Sequence, residues 1–135
     1  MEGIILISHG KLAEGMYDTI GQFFSAAEQI TCLTLGMEEN SDDFERKLKN
    51  AITKVDTGDG VILAADILGG TPCNKAIAVA GEKVRVLAGI NLGCILEILS
   101  VRNEGRVDLN KIAELGRAAM LVIDGMPFEQ EDEDF

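Results

Sequence analysis

Residues 60–74 read GVILAADILGGTPCN. The first nine are an apolar run broken by a single acid, and they stop at a Gly-Gly pair. A run this short and continuous suits a strand buried on both faces, as in a parallel sheet. Thr71-Pro72 then opens a helix, with Thr71 as its expected N-cap and Pro72 in the first helical position. Residues 3–8 (GIILIS) and 84–90 (VRVLAGI) share the character of the first run, and 30–35 (ITCLTL) is a fourth strand candidate.

Helical patterns fill the intervals. Leu12, Met16, Ile20, Phe23 and Ala27 recur at steps of four and three and make one apolar stripe. Phe44, Leu48, Ala51, Ile52 and Val55 make a second, opened by Asn40, Ser41 and the acids Asp42 and Asp43, which suit a helix N-terminus by capping and macrodipole. Leu92, Ile95, Leu96 and Leu99 mark a fourth helix. Ile112, Leu115, Ala119 and Ile123 mark a fifth, which begins after Asp108. The order β-α-β-α-β-α-β-α-α predicts a single doubly wound α/β domain over 1–125. Its mainly parallel sheet is expected in the order 2-1-3-4, with helices on both faces. Pro127 and the acidic residues that follow make 126–135 a solvated tail.

Composition narrows the function classes. The chain has 135 residues, 47% hydrophobic and 26% charged, which is ordinary for one globular domain. No apolar run approaches the length of a membrane span. The start Met1-Glu2-Gly3-Ile4 lacks the basic region of a secretory signal, so a cytoplasmic location is expected. Net charge is −11. Five acids fall in 129–135, which leaves −6 elsewhere, twelve Lys and Arg against eighteen Asp and Glu. Such a body argues against a nucleic-acid partner, since phosphate backbones call for clustered Lys and Arg. Cys32, Cys73 and Cys94 are scattered and odd in number, so they read as small buried hydrophobes in a reducing compartment. With one histidine, a Cys/His metal site finds no support, and any histidine chemistry belongs to His9.

Ligands of open α/β sheets sit beyond the carboxyl ends of the strands, where the strand order reverses. In the order 2-1-3-4 that rule sets His9, at the end of the first strand, beside Asp66, at the end of the third. A carboxylate on one ring nitrogen fixes the tautomer and steadies the positive charge that develops when the other nitrogen attacks. Gly69-Gly70-Thr71 leads into a helix N-terminus, whose free N–H groups, with the Thr71 hydroxyl and the amides of Cys73 and Asn74, form an anion cradle. A histidine, a carboxylate and an anion cradle suit the holding of a phosphoryl group. Each residue also admits a plain structural reading. His9 is then a turn residue, Asp66 a cap of the following turn, Gly69-Gly70 a tight turn, Asn91 the N-cap of the next helix, and Lys11 and Glu14 solvated helix positions. Dinucleotide, P-loop and nucleophile-elbow motifs are missing. With no Trp and one Tyr, stacking sites for bases or flavin are disfavoured as well.

Three segments together, ISHGKLAEGM (7–16), DILGGTPCN (66–74) and AGINL (88–92), resemble the enzyme IIA component of the mannose/fructose/sorbose family of the bacterial phosphoenolpyruvate-dependent sugar phosphotransferase system. The resemblance covers 1–125. It implies that His9 is phosphorylated by the phosphocarrier protein HPr and passes the phosphoryl group to a IIB component, for sugar uptake through a IIC/IID permease. It implies Asp66 as the support of His9, Gly69, Gly70 and Thr71 as the phosphate cradle, and no cofactor or metal. It also implies a homodimer that exchanges a C-terminal edge strand, here near 119–124, and a free-standing IIA protein. Cys73 and Gly93 depart from the family pattern, which commonly has a bulky aromatic and a proline there. The phosphotransfer subunit of the dihydroxyacetone kinase system looks similar, with a comparable Ser-His segment. A phosphorylation-responsive binding module is a third reading of the same residues.

Overall fold

The computed structural model describes residues 1–125. The acidic tail at 126–135 lies outside the described residues. Four strands, β1 (Gly3–His9), β2 (Ile30–Leu35), β3 (Val61–Ala65) and β4 (Val84–Ala88), pair in parallel in the order β2-β1-β3-β4. The register runs Ile4–Ile62–Arg85 across β1, β3 and β4, and His9 pairs with Leu35. Helices α1 (Leu12–Ile20), α2 (Ser41–Val55), α3 (Thr71–Val79), α4 (Leu92–Val101) and α5 (Leu109–Ala118) alternate with the strands, and a 3-10 turn, Arg102–Glu104, follows α4.

Alternation along the central strands divides the core. Ile4, Leu6, Ile62 and Ala64 face α1, α4 and α5, while Ile5, Ile7, Val61, Leu63 and Ala65 face α2 and α3. Both faces of β1 and β3 are therefore dry, which is why their sequences are continuous rather than alternating. Asn40 caps α2 by accepting from the Asp42 N–H at 2.7 Å, and Asn91 caps α4 by accepting from the Cys94 N–H at 2.9 Å. The Asn91 amide also donates to the Gly116 carbonyl at 2.7 Å and so ties α4 to α5.

The structure corrects several boundaries. The first helix stops at Ile20, because the chain leaves α-geometry through a series of tight turns from Gly21 to Phe24. Ala13, Met16 and Ile20 pack on the core, so Met16 and Ile20 lie where the sequence reading puts them, and Leu12 faces outward. The buried Ser8 hydroxyl accepts from the Ala13 N–H at 2.7 Å and fixes the rotation of the first turn. β3 ends at Ala65, just before Asp66. Gly70, not Thr71, is the N-cap of α3. Leu115 is exposed, and 119–125 forms no strand within the single chain.

The pole opposite the strands' carboxyl ends is closed by buried charges. Glu2 accepts from Arg85 at 2.8 Å through both oxygens and from the Val107 N–H at 2.8 Å. Arg102 is buried and donates to the carbonyls of Glu2 (3.2 Å), Gln29 (3.1 Å) and Glu28. Arg102 thus gathers carbonyls from the segments that lead into β1 and β2 onto one side chain. Arg102→Met keeps the apolar stem and strips these donors. It should cost about 2–4 kcal/mol, read as a lower denaturant midpoint; an unchanged midpoint would mean that water serves the carbonyls equally well.

Candidate functional site

His9 is the last residue of β1 and Asp66 the first after β3, so adjacent pairing in the sheet brings them together. The ladder extends one step past β3, with the Asp66 N–H donating to the Ile7 carbonyl at 3.0 Å. Asp66 Oδ2 accepts from the His9 backbone N–H at 3.0 Å and meets the ring Nδ1 at 2.9 Å. An ionised carboxylate only accepts, so the proton of a neutral ring sits on Nδ1 and the lone pair on Nε2. The exposures are unequal: the His9 side chain is 45% exposed and that of Asp66 8%. The anchor is buried and the reactive ring is open.

Burial alone would raise the pKa of Asp66. Hydrogen bonds from the His9 ring, the His9 backbone and the Ile67 backbone, with the charge of the ring, outweigh it and hold the carboxyl below its ordinary 3.8. Oδ1 is buried and accepts no hydrogen bond among the described residues, so Oδ2 carries the directed contacts.

The turn 66–70 delivers the start of α3 to the imidazole. Gly69 has φ +89°, a left-handed conformation that favours glycine. Gly70 lies against the ring. The first-turn N–H groups of Gly70, Thr71 and Cys73 have no intrahelical acceptor, and Pro72 has no N–H to offer. The Asn74 N–H donates to the Gly70 carbonyl at 2.9 Å, so it is committed to the helix, and the Asn74 side chain is exposed. The Cys73 side chain is fully buried among Ile5, Ile7 and Ala76, so only its backbone can face an anion. Of the groups expected to cradle an anion, the N–H groups of Gly70, Thr71 and Cys73 are the ones that the start of α3 leaves without an intrahelical acceptor.

Sequence reasoning missed two features. Ser8, through its bond to Ala13, holds the turn that carries His9 and Gly10; a serine five residues before a buried alanine is no standard capping signal. The segments that leave β1, β2 and β3 at their carboxyl ends also expose Leu12, Met37, Ile67 and Leu68, an apolar rim around the site. Leu12 had the appearance of a core residue because periodicity does not distinguish the two sides of a stripe's edge.

Residues 3–114 match the family model described as the PTS system fructose IIA component. The chain belongs to this mannose/fructose-type IIA family. It is 28% identical over 132 residues to the PTS system mannose-specific EIIAB component of Escherichia coli K12, covering 94% of this chain and 41% of that protein. It thus spans about two-fifths of the length of that curated relative. It is 28% identical over 104 residues to the PTS system fructose-specific EIIA component of Bacillus subtilis, covering 76% of this chain and 71% of the relative. Among solved structures, the mannose/sorbose-specific IIA subunit from Enterococcus faecalis superposes with a TM-score of 0.81 at 26% identity, covering 96% and 98% of the two chains. The doubly wound sheet is thus the IIA fold, and the resemblance read from the three motifs is correct. None of the described helices is long and apolar enough to cross a membrane.

The lowered pKa of Asp66 has a signed consequence. As pH falls, the unfolded chain takes up this proton before the folded chain does. The stability contributed by ionised Asp66 is therefore whole above about pH 4–5 and is lost as pH falls through the folded-state value below 3.8. Below about pH 5 the unfolding free-energy gap between wild type and Asp66→Asn should narrow as pH falls. A gap that widened on acidification would reverse the assignment.

Proposed function

We propose that this IIA domain is a phosphoryl carrier that accepts the group from the phosphohistidine of HPr on His9 and hands it to a IIB component. The single observation that carries the reading is the double acceptance by Asp66 Oδ2, which keeps the ring proton on Nδ1 and leaves Nε2 unprotonated and open. In the forward step the Nε2 lone pair attacks phosphorus. A new N–P bond forms as the donor's N–P bond breaks, and the donor ring leaves with the electron pair. The Nδ1 proton stays with His9, and the Asp66 carboxylate offsets the positive charge that spreads over the ring. The N-terminus of α3 and the Thr71 hydroxyl face the phosphoryl oxygens. Positioning and charge stabilisation supply most of the catalysis in such transfers. The product is a high-energy, acid-labile phosphohistidine, ready to pass its group onward by the reverse of the same step.

Two further features support a protein as substrate. The site is open, and its rim is apolar, which suits another protein surface better than a small polar molecule. The second is the C-terminal segment: Met120, Leu121, Val122 and Ile123 are exposed, and the outer edge of β4 pairs with no strand among the described residues. An unpaired edge and an apolar run of β-forming residues are complementary, which favours a homodimer in which this run adds to the partner's sheet. Sugar specificity and membrane association then reside in the permease, with the carrier working in the cytoplasm.

Incubation with labelled phosphoenolpyruvate, enzyme I and HPr should place acid-labile phosphate on His9. His9→Ala should take up none, since the chain has no other histidine; label on that variant would refute the carrier role. Asp66→Ala should fold and transfer about 100-fold more slowly. Thr71→Ala should lose about fivefold, the worth of one hydrogen bond of about 1 kcal/mol. Sedimentation should give a dimer that becomes monomeric when charged residues replace Leu121 and Ile123; a wild-type monomer would remove the strand exchange.

A further inference from the structure

Gly69 and Gly70 stand side by side before α3, and they are glycine for different reasons. A Cβ on Gly69 would meet nothing within 4 Å, but its φ of +89° disfavours any other residue. Gly70 has φ −88° and ψ 165°, extended backbone open to every residue. A Cβ on Gly70, however, would stand 2.2 Å from His9 Cε1, 2.9 Å from Nε2 and 3.4 Å from Nδ1. The edge of the imidazole occupies the space that a side chain at position 70 would fill.

We infer that Gly70 is a positioning residue for His9: its missing side chain is the slot in which the ring reaches Asp66 through Nδ1 and keeps Nε2 uncovered. The His9 backbone is held by the strand ladder and by its own N–H on Asp66, so the ring moves only by side-chain rotation. Rotation away from a methyl group at position 70 takes Nδ1 off Oδ2. The ring is nearly half exposed, so solvent receives it and the fold need not yield. A substitution at Gly70 therefore acts on ring orientation and tautomer, whereas one at Gly69 acts on the backbone. The inference rests on His9 as the phosphoryl acceptor, but ring geometry has a readout independent of transfer.

That readout is nitrogen NMR on protein labelled in its one histidine, at alkaline pH with the ring neutral. Wild type should carry the proton on Nδ1. Gly70→Ala should shift toward the Nε2–H form that an unconstrained histidine side chain prefers, keep an unfolding midpoint close to wild type, and accept phosphate about 100-fold more slowly. Gly69→Ala should do the opposite, with a lower midpoint and the Nδ1–H form retained. If Gly70→Ala keeps the wild-type tautomer, or if Gly69→Ala loses it equally, the inference is overturned. Should Gly70→Ala fail to fold, the double variant His9→Ala/Gly70→Ala should fold again, because the clash is with the ring; failure of the double variant also overturns it. If wild type takes up no phosphate while the tautomer contrast holds, the carrier reading falls and the positioning role of Gly70 stands.

Discussion

One carboxylate oxygen accepting twice from one histidine is the contact on which the site depends. Asp66 Oδ2 binds the backbone and the ring of His9 together, so the end of β1 and the end of β3 cannot shift against each other without releasing the imidazole. Such a contact is available only where two parallel strands are neighbours and the chain leaves both at the same edge. The 2-1-3-4 order provides that neighbourhood. The dry core of Ile, Val, Leu and Ala holds β1 and β3 in place by packing helices on both of their faces.

The two poles of the sheet divide the labour. At one end Glu2 and Arg102 are buried, Glu2 is paired with Arg85, and their hydrogen bonds go to the chain itself. At the other end the polar groups are left with capacity to spare: Nε2 of His9, the first-turn N–H groups of α3 and the Thr71 hydroxyl. Unspent capacity near solvent costs little in the resting protein, and it is what the proposed phosphoryl group would require.

Much of this was legible in the sequence. Continuous apolar runs separated by helical stripes dictate strands buried on both faces, and from that the sheet and the His9–Asp66 pairing follow. Asn40, Asn91 and Asp108 also behave as their residue type suggests, because capping is a local matter. The misreadings occur where specific contacts overrule the periodic pattern. The Ser8–Ala13 bond sets Ala13, not Leu12, toward the core and leaves Leu12 exposed. Gly70 takes the cap from Thr71 because the turn must pass beneath a ring. Residues 119–125 pair with no strand among the described residues, and periodicity carries no information about a second copy.

The rim of Leu12, Met37, Ile67 and Leu68 has a thermodynamic consequence. Contacts made through such side chains gain from releasing water rather than from opposite charges. Association at this face therefore carries a negative heat-capacity change and weakens on cooling. It is also little screened by salt, unlike the charge-steered encounters of many acidic proteins. A carrier of the proposed kind, meeting one partner and then another, gains from a surface whose grip varies little with ionic strength.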